Sequence, residues 1–218
     1  MVFDDRTDAG RRLAEALMEY RGRRDVVVLG VPRGGGVVAY EVACALGAPL
    51  DVVVSRKIPA PGNPELAIGA VAPDGSVVMD PMAERYLAVT DDYVQRAVAE
   101  EVAEIHRRME AYRGDRPPVP LEGKTVIVVD DGIATGATVL ATLRGLRAQN
   151  PKELVLAIPV GPPASIERLA PEADRVVALQ TPEFFYAVGE WYRDFRQVSD
   201  EEVINLLERS RECAPAAA

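Results

Sequence analysis

The chain has 218 residues and a formal net charge of −9. Its length fits one α/β core, and its 48% of apolar residues suffice for a sizeable interior. The acidic balance argues against a general nucleic-acid binder, because affinity for phosphate backbones comes mainly from clustered lysine and arginine.

The cysteines and the N-terminal residues bear on cellular location. Cys44 and Cys213 lie far apart in sequence and form neither a metal-ligand spacing nor a disulfide framework, so we expect a reducing cytosol. The first residues, MVFDDRTDAGRR, mix acidic and basic side chains and do not resemble an export leader. No apolar run reaches the roughly 18 residues of a membrane span. These features predict a cytoplasmic protein with no membrane partner.

Helical and strand patterns alternate in the first third of the chain. Apolar residues at helical spacing predict an amphipathic helix over 7–21. The apolar run 25–30 predicts a buried parallel strand, and a helix is predicted over 37–47. A second strand is predicted over 50–58. The proline-rich segment 59–65 is predicted to be a loop, because proline disrupts both helix and interior strand.

The same alternation continues to the C-terminus. Segments 66–72 and 76–80 predict a hairpin, and the Ala-, Glu- and Arg-rich stretch 81–113 predicts one short and one long surface helix. The remaining predicted strands are 124–130, 153–160 and 174–180, and the remaining predicted helices are 137–149, 163–170 and about 200–211. This order predicts an α/β fold with a mostly parallel, doubly wound, Rossmann-like sheet and helices on both faces.

One segment, VIVVDDGIATGAT at 126–138, carries the strongest functional signal. Its small-residue loop, called here the phosphate loop, consists of Ala134, Thr135, Gly136, Ala137 and Thr138. The phosphate loop precedes a predicted helix, whose N–H groups and dipole favour a phosphate. Asp130 and Asp131, called here the Asp pair, would repel the same phosphate, so we expect them to accept hydrogen bonds from vicinal sugar hydroxyls. The segment therefore predicts a site for a ribose 5-phosphate unit, with a hydrated divalent cation nearby.

This segment resembles the signature of type I phosphoribosyltransferases, and the resemblance covers most of residues 25–180. It implies that GVPRGGG, residues 30–36, is a pyrophosphate loop with an often cis peptide. The residues carried over there are Arg33, Gly34 and Gly35. It also implies that Arg56 and Lys57 contact pyrophosphate, next to a catalytic lid that begins at 59–65.

The resemblance implies a reaction as well as a fold. Such enzymes transfer the ribose 5-phosphate group of phosphoribosyl pyrophosphate to a nitrogen acceptor and release pyrophosphate. Arg33, Arg56 and Lys57 would be the catalytic residues that stabilise the leaving group. Mg²⁺ would be held through substrate and water near the Asp pair, without a direct protein site. The whole chain, 1–218, would form one phosphoribosyltransferase domain with a helical insertion at 81–113 and a hood from the chain ends, chiefly 181–218. Homodimers are common in this family.

The acceptor is less well indicated. An aromatic cluster in the predicted hood could stack on a planar base. Its candidate residues are Phe184, Phe185, Tyr186 and Trp191. A packing cluster or a dimer contact is the alternative interpretation. Adenine phosphoribosyltransferases also have alanine where Ala134 stands, and hypoxanthine–guanine enzymes usually have aspartate, so a 6-oxopurine acceptor is disfavoured. His106 is expected to be a surface residue.

Two other functions remain open from the sequence. One is a non-catalytic protein that binds phosphoribosyl pyrophosphate or a nucleotide and regulates a partner. The other is an interaction module that acts through the acidic helices of 81–113. Arg33, Arg56 and Lys57 favour the enzyme, because binding ribose phosphate alone requires no positive charge at the leaving group.

Overall fold

The computed structural model describes residues 2–81 and 89–213. The strands in these ranges are β1 (Val26–Gly30), β2 (Leu50–Val52), β3 (Arg56–Ala60), β4 (Asn63–Val71), β5 (Val77–Met79), β6 (Thr125–Val129), β7 (Glu153–Val160) and β8 (Arg175–Gln180). The helices are α1 (Arg6–Glu15), α2 (Gly34–Leu46), α3 (Asp91–Arg113), α4 (Ala137–Arg147), α5 (Pro163–Leu169) and α6 (Asp200–Cys213).

The main sheet has five parallel strands in the order β2-β1-β6-β7-β8. Alternate residues of its strands face opposite sides. Val26 and Val28 of β1 pack with α1 and α2, while Val27 and Leu29 pack with α4. Both faces of the sheet are therefore covered, which is why β1 and β6 are buried throughout and, apart from Thr125, apolar. The predicted α/β fold with a parallel, doubly wound sheet is confirmed.

A second, antiparallel sheet has the order β3-β4-β5, and it corrects two predictions. The predicted strand 50–58 is two strands, because β2 ends in the main sheet and β3 begins in the second. The predicted loop 59–65 is wrong as well, since the hairpin of β3 and β4 passes through it. Pro59 is accommodated because β3 is an edge strand and its pairing register shifts on both sides of that residue. The hairpin predicted at 66–72 and 76–80 is confirmed as β4 and β5.

Several helix boundaries differ from prediction. α1 ends at Glu15, earlier than predicted, and α2 begins three residues early, at Gly34. The long helix predicted within 81–113 is α3. The short helix predicted before it falls largely on residues 82–88, outside the described residues. α3 packs through Ile105 and Tyr112 against the second sheet and α6, so it joins these two parts of the fold.

Cys44 of α2 and Cys213 of α6 form a disulfide, and the prediction that they would not pair is wrong. They lie 169 residues apart in sequence, and only the packing of α6 against α2 brings them together. The cytoplasmic location therefore stays a prediction without support from the cysteines. Within the described residues, no helix combines the length and apolar character needed to cross a membrane.

Candidate functional site

The Asp pair lies directly against the first turn of α2. β1 and β6 are neighbours and end level, with Gly30 opposite Val129, so the segments that follow them meet at one edge of the sheet. A Cβ atom added to Gly34 would lie 1.9 Å from Asp131 Oδ2, and one added to Gly35 would lie 2.8 Å from the Cα of Asp130. Only glycine fits at these two positions, because the backbone of α2 lies so close to the Asp pair. The preceding peptide, Pro32–Arg33, is cis, as the resemblance implies.

The electrostatics of the Asp pair favour a positively charged neighbour. Burial raises the pKa of Asp130 well above its usual value, and the negative charge of Asp131 raises it further. Burial also raises the pKa of Asp131, while the Arg6 guanidinium opposes that shift. The backbone N–H of Asp131 donates to Asp130 Oδ1 over 2.8 Å. Ionising both carboxylates here is costly unless cations or donors approach them.

Arg6, at the start of α1, is a contact of the Asp pair that sequence reasoning missed. Its Nε donates to Asp131 Oδ2 over 2.7 Å, and its Nη1 donates to the carbonyl of Arg196 over 2.8 Å. The guanidinium lies over the Phe195 ring, 3.9 Å from the centroid. The Tyr192 hydroxyl donates to the carbonyl oxygen of Asp131. Residues from both ends of the chain therefore cover this carboxylate, and no sequence motif indicated that contact.

The phosphate loop lies at the start of a helix, α4, as predicted. Gly136 has φ of 75° and no side chain to cap the helix that follows, so the first N–H groups of α4 receive no side-chain cap. Ala137 and Thr138 are the first residues of α4. Ala134 and Thr135 are exposed, and the Ala134 carbonyl accepts a hydrogen bond from Ser165 Oγ. Helix N-termini of this kind suit an anion.

A cavity of about 400 Å³, called here the strand-end cavity, lies beside the predicted pyrophosphate contacts Arg56 and Lys57. Its lining includes Pro32, which follows β1, Arg56 and Lys57, which begin β3, and Thr138 in the first turn of α4. Glu101 and Arg108 of α3 also line it, and Glu101 forms an ion pair with Arg56. Sequence reasoning missed both α3 residues, because it treated 81–113 as surface helices.

Arg33 lies apart from this arrangement. It is exposed and is not among the residues that line the strand-end cavity. Its charge instead acts on Tyr112 of α3, where it opposes the rise in pKa that burial causes. Arg56 and Lys57 therefore line the strand-end cavity, and Arg33 does not.

The aromatic candidates separate into two pairs. Phe185 and Trp191 stack with ring centroids 6.4 Å apart and pack against the cluster around Phe3 and Tyr192. Phe184 and Tyr186 are 83% and 85% exposed. The first pair is partly used in packing, and the second faces solvent.

No group of three or more His, Cys, Asp or Glu side chains in residues 2–81 and 89–213 could hold a metal ion by itself. The Asp pair directly precedes the phosphate loop in sequence, and its carboxylate oxygens are of the kind that a hydrated divalent cation accepts as neighbours. His106 is exposed, as predicted, with Nε2 3.1 Å from the carbonyl oxygen of Pro73.

Sequence comparisons connect these features to known proteins. A family model described as "Phosphoribosyl transferase domain" matches residues 4–195. A protein of Mycobacterium tuberculosis (strain ATCC 25618 / H37Rv), named "Putative phosphoribosyl transferase", is 46% identical over 218 residues, which are 100% of this chain and 49% of that protein. The chain therefore spans about half the length of the curated relatives it matches.

Structural comparisons agree with the fold. The crystal structure of the protein TT1426 from Thermus thermophilus is 46% identical, with a TM-score of 0.81 over 99% of this chain and 100% of that one. A hypothetical protein from Neisseria gonorrhoeae with bound ppGpp has a TM-score of 0.52 at 15% identity, over 97% of this chain and 99% of that one. At that identity the second likeness concerns the fold alone.

Proposed function

Because the chain belongs to the family of phosphoribosyl transferase domains, we propose that it transfers ribose 5-phosphate from phosphoribosyl pyrophosphate to a nitrogen acceptor and releases pyrophosphate. One observation carries the proposal. Residues next to three strand ends converge on one edge of the main sheet, where the Asp pair, the phosphate loop and the cations of the strand-end cavity are neighbours. This set matches the sugar, the phosphate and the leaving group of one donor.

In this proposal each part of the edge contacts a different part of the donor. The phosphate loop takes the 5-phosphate with the N–H groups at the start of α4. The Asp pair accepts hydrogen bonds from the ribose hydroxyls. Arg56 and Lys57 contact the pyrophosphate. Arg33 stays a candidate for that contact on the resemblance alone, since its side chain lies outside the cavity.

The reaction requires the bond between C1 of the ribose and a pyrophosphate oxygen to break, with its electron pair leaving on pyrophosphate. The acceptor nitrogen donates a lone pair to C1 and loses a proton. Positive charge on Arg56 and Lys57 stabilises the negative charge that grows on the departing oxygen. Bound Mg²⁺ would add positive charge there through substrate oxygens and water. The Asp pair and the phosphate loop contribute by holding C1 in line with its acceptor.

We also propose the hood as the acceptor side of this site and the whole chain as one domain. Phe3 is hydrogen-bonded to the backbone of Trp191 and Arg193, which ties the N-terminal segment to the segment after β8. The Trp191 indole N–H is buried and has no hydrogen-bond partner among the described residues. Phe184 and Tyr186 are exposed enough to contact a planar ring or a second copy in a homodimer.

The decisive test is calorimetric titration with phosphoribosyl pyrophosphate and Mg²⁺, followed by measurement of pyrophosphate release across nucleobases. We expect donor binding, and release with a base other than a 6-oxopurine, because Ala134 supplies no carboxylate. Absence of donor binding at millimolar concentration would refute the proposal.

A second candidate function is a regulatory protein that binds phosphoribosyl pyrophosphate or a nucleotide without turnover. The observation that favours it is the ion pair between Glu101 and Arg56, which neutralises one of the two cations assigned to the leaving group. Donor binding without pyrophosphate release on any base would support this candidate over the enzyme.

A further inference from the structure

One face of α3 lines the strand-end cavity. The sequence did not indicate this contact. Glu101, Ile105 and Arg108 are spaced at i, i+4 and i+7, so they lie on one side of the helix. Ile105 is fully buried and packs in the cluster that includes Ile58 of β3. This buried contact fixes the orientation of α3, so that Glu101 and Arg108 line the cavity beside Arg56 and Lys57.

The charges around Arg108 leave it available for an anion. Its Nε donates to Glu104 Oε1 over 2.8 Å, and Arg107 contacts the same carboxylate over 2.7 Å. Two positive charges therefore share one negative charge. Arg56, in contrast, has Glu101 as its own partner.

We propose that Arg108 is a further binding residue for the pyrophosphate end of the donor, supplied by α3 from outside the parallel sheet. The inference rests on the proposed function, since it concerns the same site. A guanidinium presents paired N–H groups that match phosphate oxygens. With Lys57 and Arg56 it places positive charge on two sides of the cavity: β3 on one and α3 on the other.

Arg107 provides a matched control for this assignment. It is next to Arg108 on the same helix and shares Glu104. Its side chain is 67% exposed, compared with 43% for Arg108, and it is not among the residues that line the cavity. Replacing either arginine removes one positive charge beside Glu104. Arg107 donates two hydrogen bonds to that carboxylate and Arg108 donates one, so the control removes at least as much of the local ion pairing as the test variant does.

The experiment is calorimetric titration of wild type, Arg107→Ala, Arg108→Ala and Arg108→Lys with two separate probes. The probes are inorganic pyrophosphate with Mg²⁺ and ribose 5-phosphate. We expect Arg108→Ala to bind pyrophosphate about tenfold more weakly, the effect of losing one charge-assisted contact, and Arg108→Lys to fall between it and wild type. Arg107→Ala should stay within about twofold of wild type, because its side chain is mostly exposed to solvent, where its charge is screened, and does not line the cavity. Ribose 5-phosphate affinity should be unchanged in all variants.

The outcomes separate this inference from the function on which it rests. Wild type that binds neither probe would overturn both. Wild type that binds both probes would support the site, and equal pyrophosphate affinity in Arg108→Ala would then overturn the inference alone. Equal weakening by Arg107→Ala would also overturn it, because the effect would be general electrostatics. Circular dichroism melting of each variant shows whether α3 is intact.

Discussion

Asn substitutions at the two members of the Asp pair should change the free energy of unfolding by different amounts, because Arg6 contacts only Asp131. Asp130 is held with a raised pKa by burial and by its neighbour's charge. An unfolded aspartate ionises near pH 4, so the folded state binds this proton more tightly than the unfolded state does. The stability that this provides is fully present below about pH 4 and is lost as the pH rises through the raised pKa.

Asp130→Asn should therefore be more stable than wild type at neutral pH. The gain is about 1.4 kcal/mol for each unit by which the pKa is raised. The backbone contact from Asp131 N to the side-chain oxygen can persist, because an amide oxygen also accepts a hydrogen bond. The stability difference between Asp130→Asn and wild type should shrink as the pH is lowered toward 4.

Asp131→Asn should gain less stability at neutral pH than Asp130→Asn, although burial raises the pKa of Asp131 too. It leaves Arg6 without its anionic partner in a place where the two side chains are only 10% and 14% exposed. Removing one partner of such a pair costs about 2 kcal/mol, and this cost offsets the gain from no longer burying the Asp131 charge. Urea unfolding at pH 7 and at pH 5 measures both variants. A gain in Asp131→Asn at pH 7 equal to or larger than that in Asp130→Asn would refute this account of the pair.

Three further predictions follow from close contacts. Gly34→Ala should abolish ribose 5-phosphate binding in calorimetry, because its Cβ would overlap the Asp pair. Gly36→Ala, whose added Cβ would have its nearest contact at 3.5 Å, should bind as wild type does. Equal binding by both variants would contradict the assigned packing. Tyr192→Phe removes the hydroxyl that donates to the Asp131 carbonyl and should lower stability by about 1 kcal/mol, measured by urea unfolding; an unchanged midpoint would show that the bond contributes nothing. Under oxidising conditions, the double variant Cys44→Ser, Cys213→Ser should melt at a lower temperature than wild type, by an amount equivalent to about 3–5 kcal/mol. Its melting temperature should match that of reduced wild type. A midpoint equal to that of oxidised wild type would mean that the disulfide does not form in solution.

The sequence predicted the elements whose local pattern agrees with their environment. β6 is a run of β-branched residues, apolar except for Thr125, and lies in the middle of a parallel sheet, where such residues pack on both faces. β7 was predicted with its observed bounds for the same reason. The segment 59–65 was mispredicted because proline content indicates local propensity, and the edge position of β3 overrides it.

The sequence predicted the parts of the candidate site whose residues are contiguous in the chain. It did not predict the parts that depend on contacts between residues far apart in sequence. The Asp pair and the phosphate loop are contiguous in sequence, so their juxtaposition follows from one strand end. Arg6 contacts Asp131 across 125 residues of sequence, and Arg108 reaches the strand-end cavity only because buried Ile105 orients α3. Neither contact has a local pattern that would indicate it.

The central claim is that the edge of the main sheet binds phosphoribosyl pyrophosphate as one ligand. Calorimetric titration of wild type and of Asp131→Asn with this donor and Mg²⁺ tests it most directly. We predict one binding site per chain in wild type and about tenfold weaker binding in the variant, since a carboxylate that accepts sugar hydroxyls is replaced by an amide. No binding by wild type at millimolar donor, or equal affinity in the two proteins, would contradict the claim.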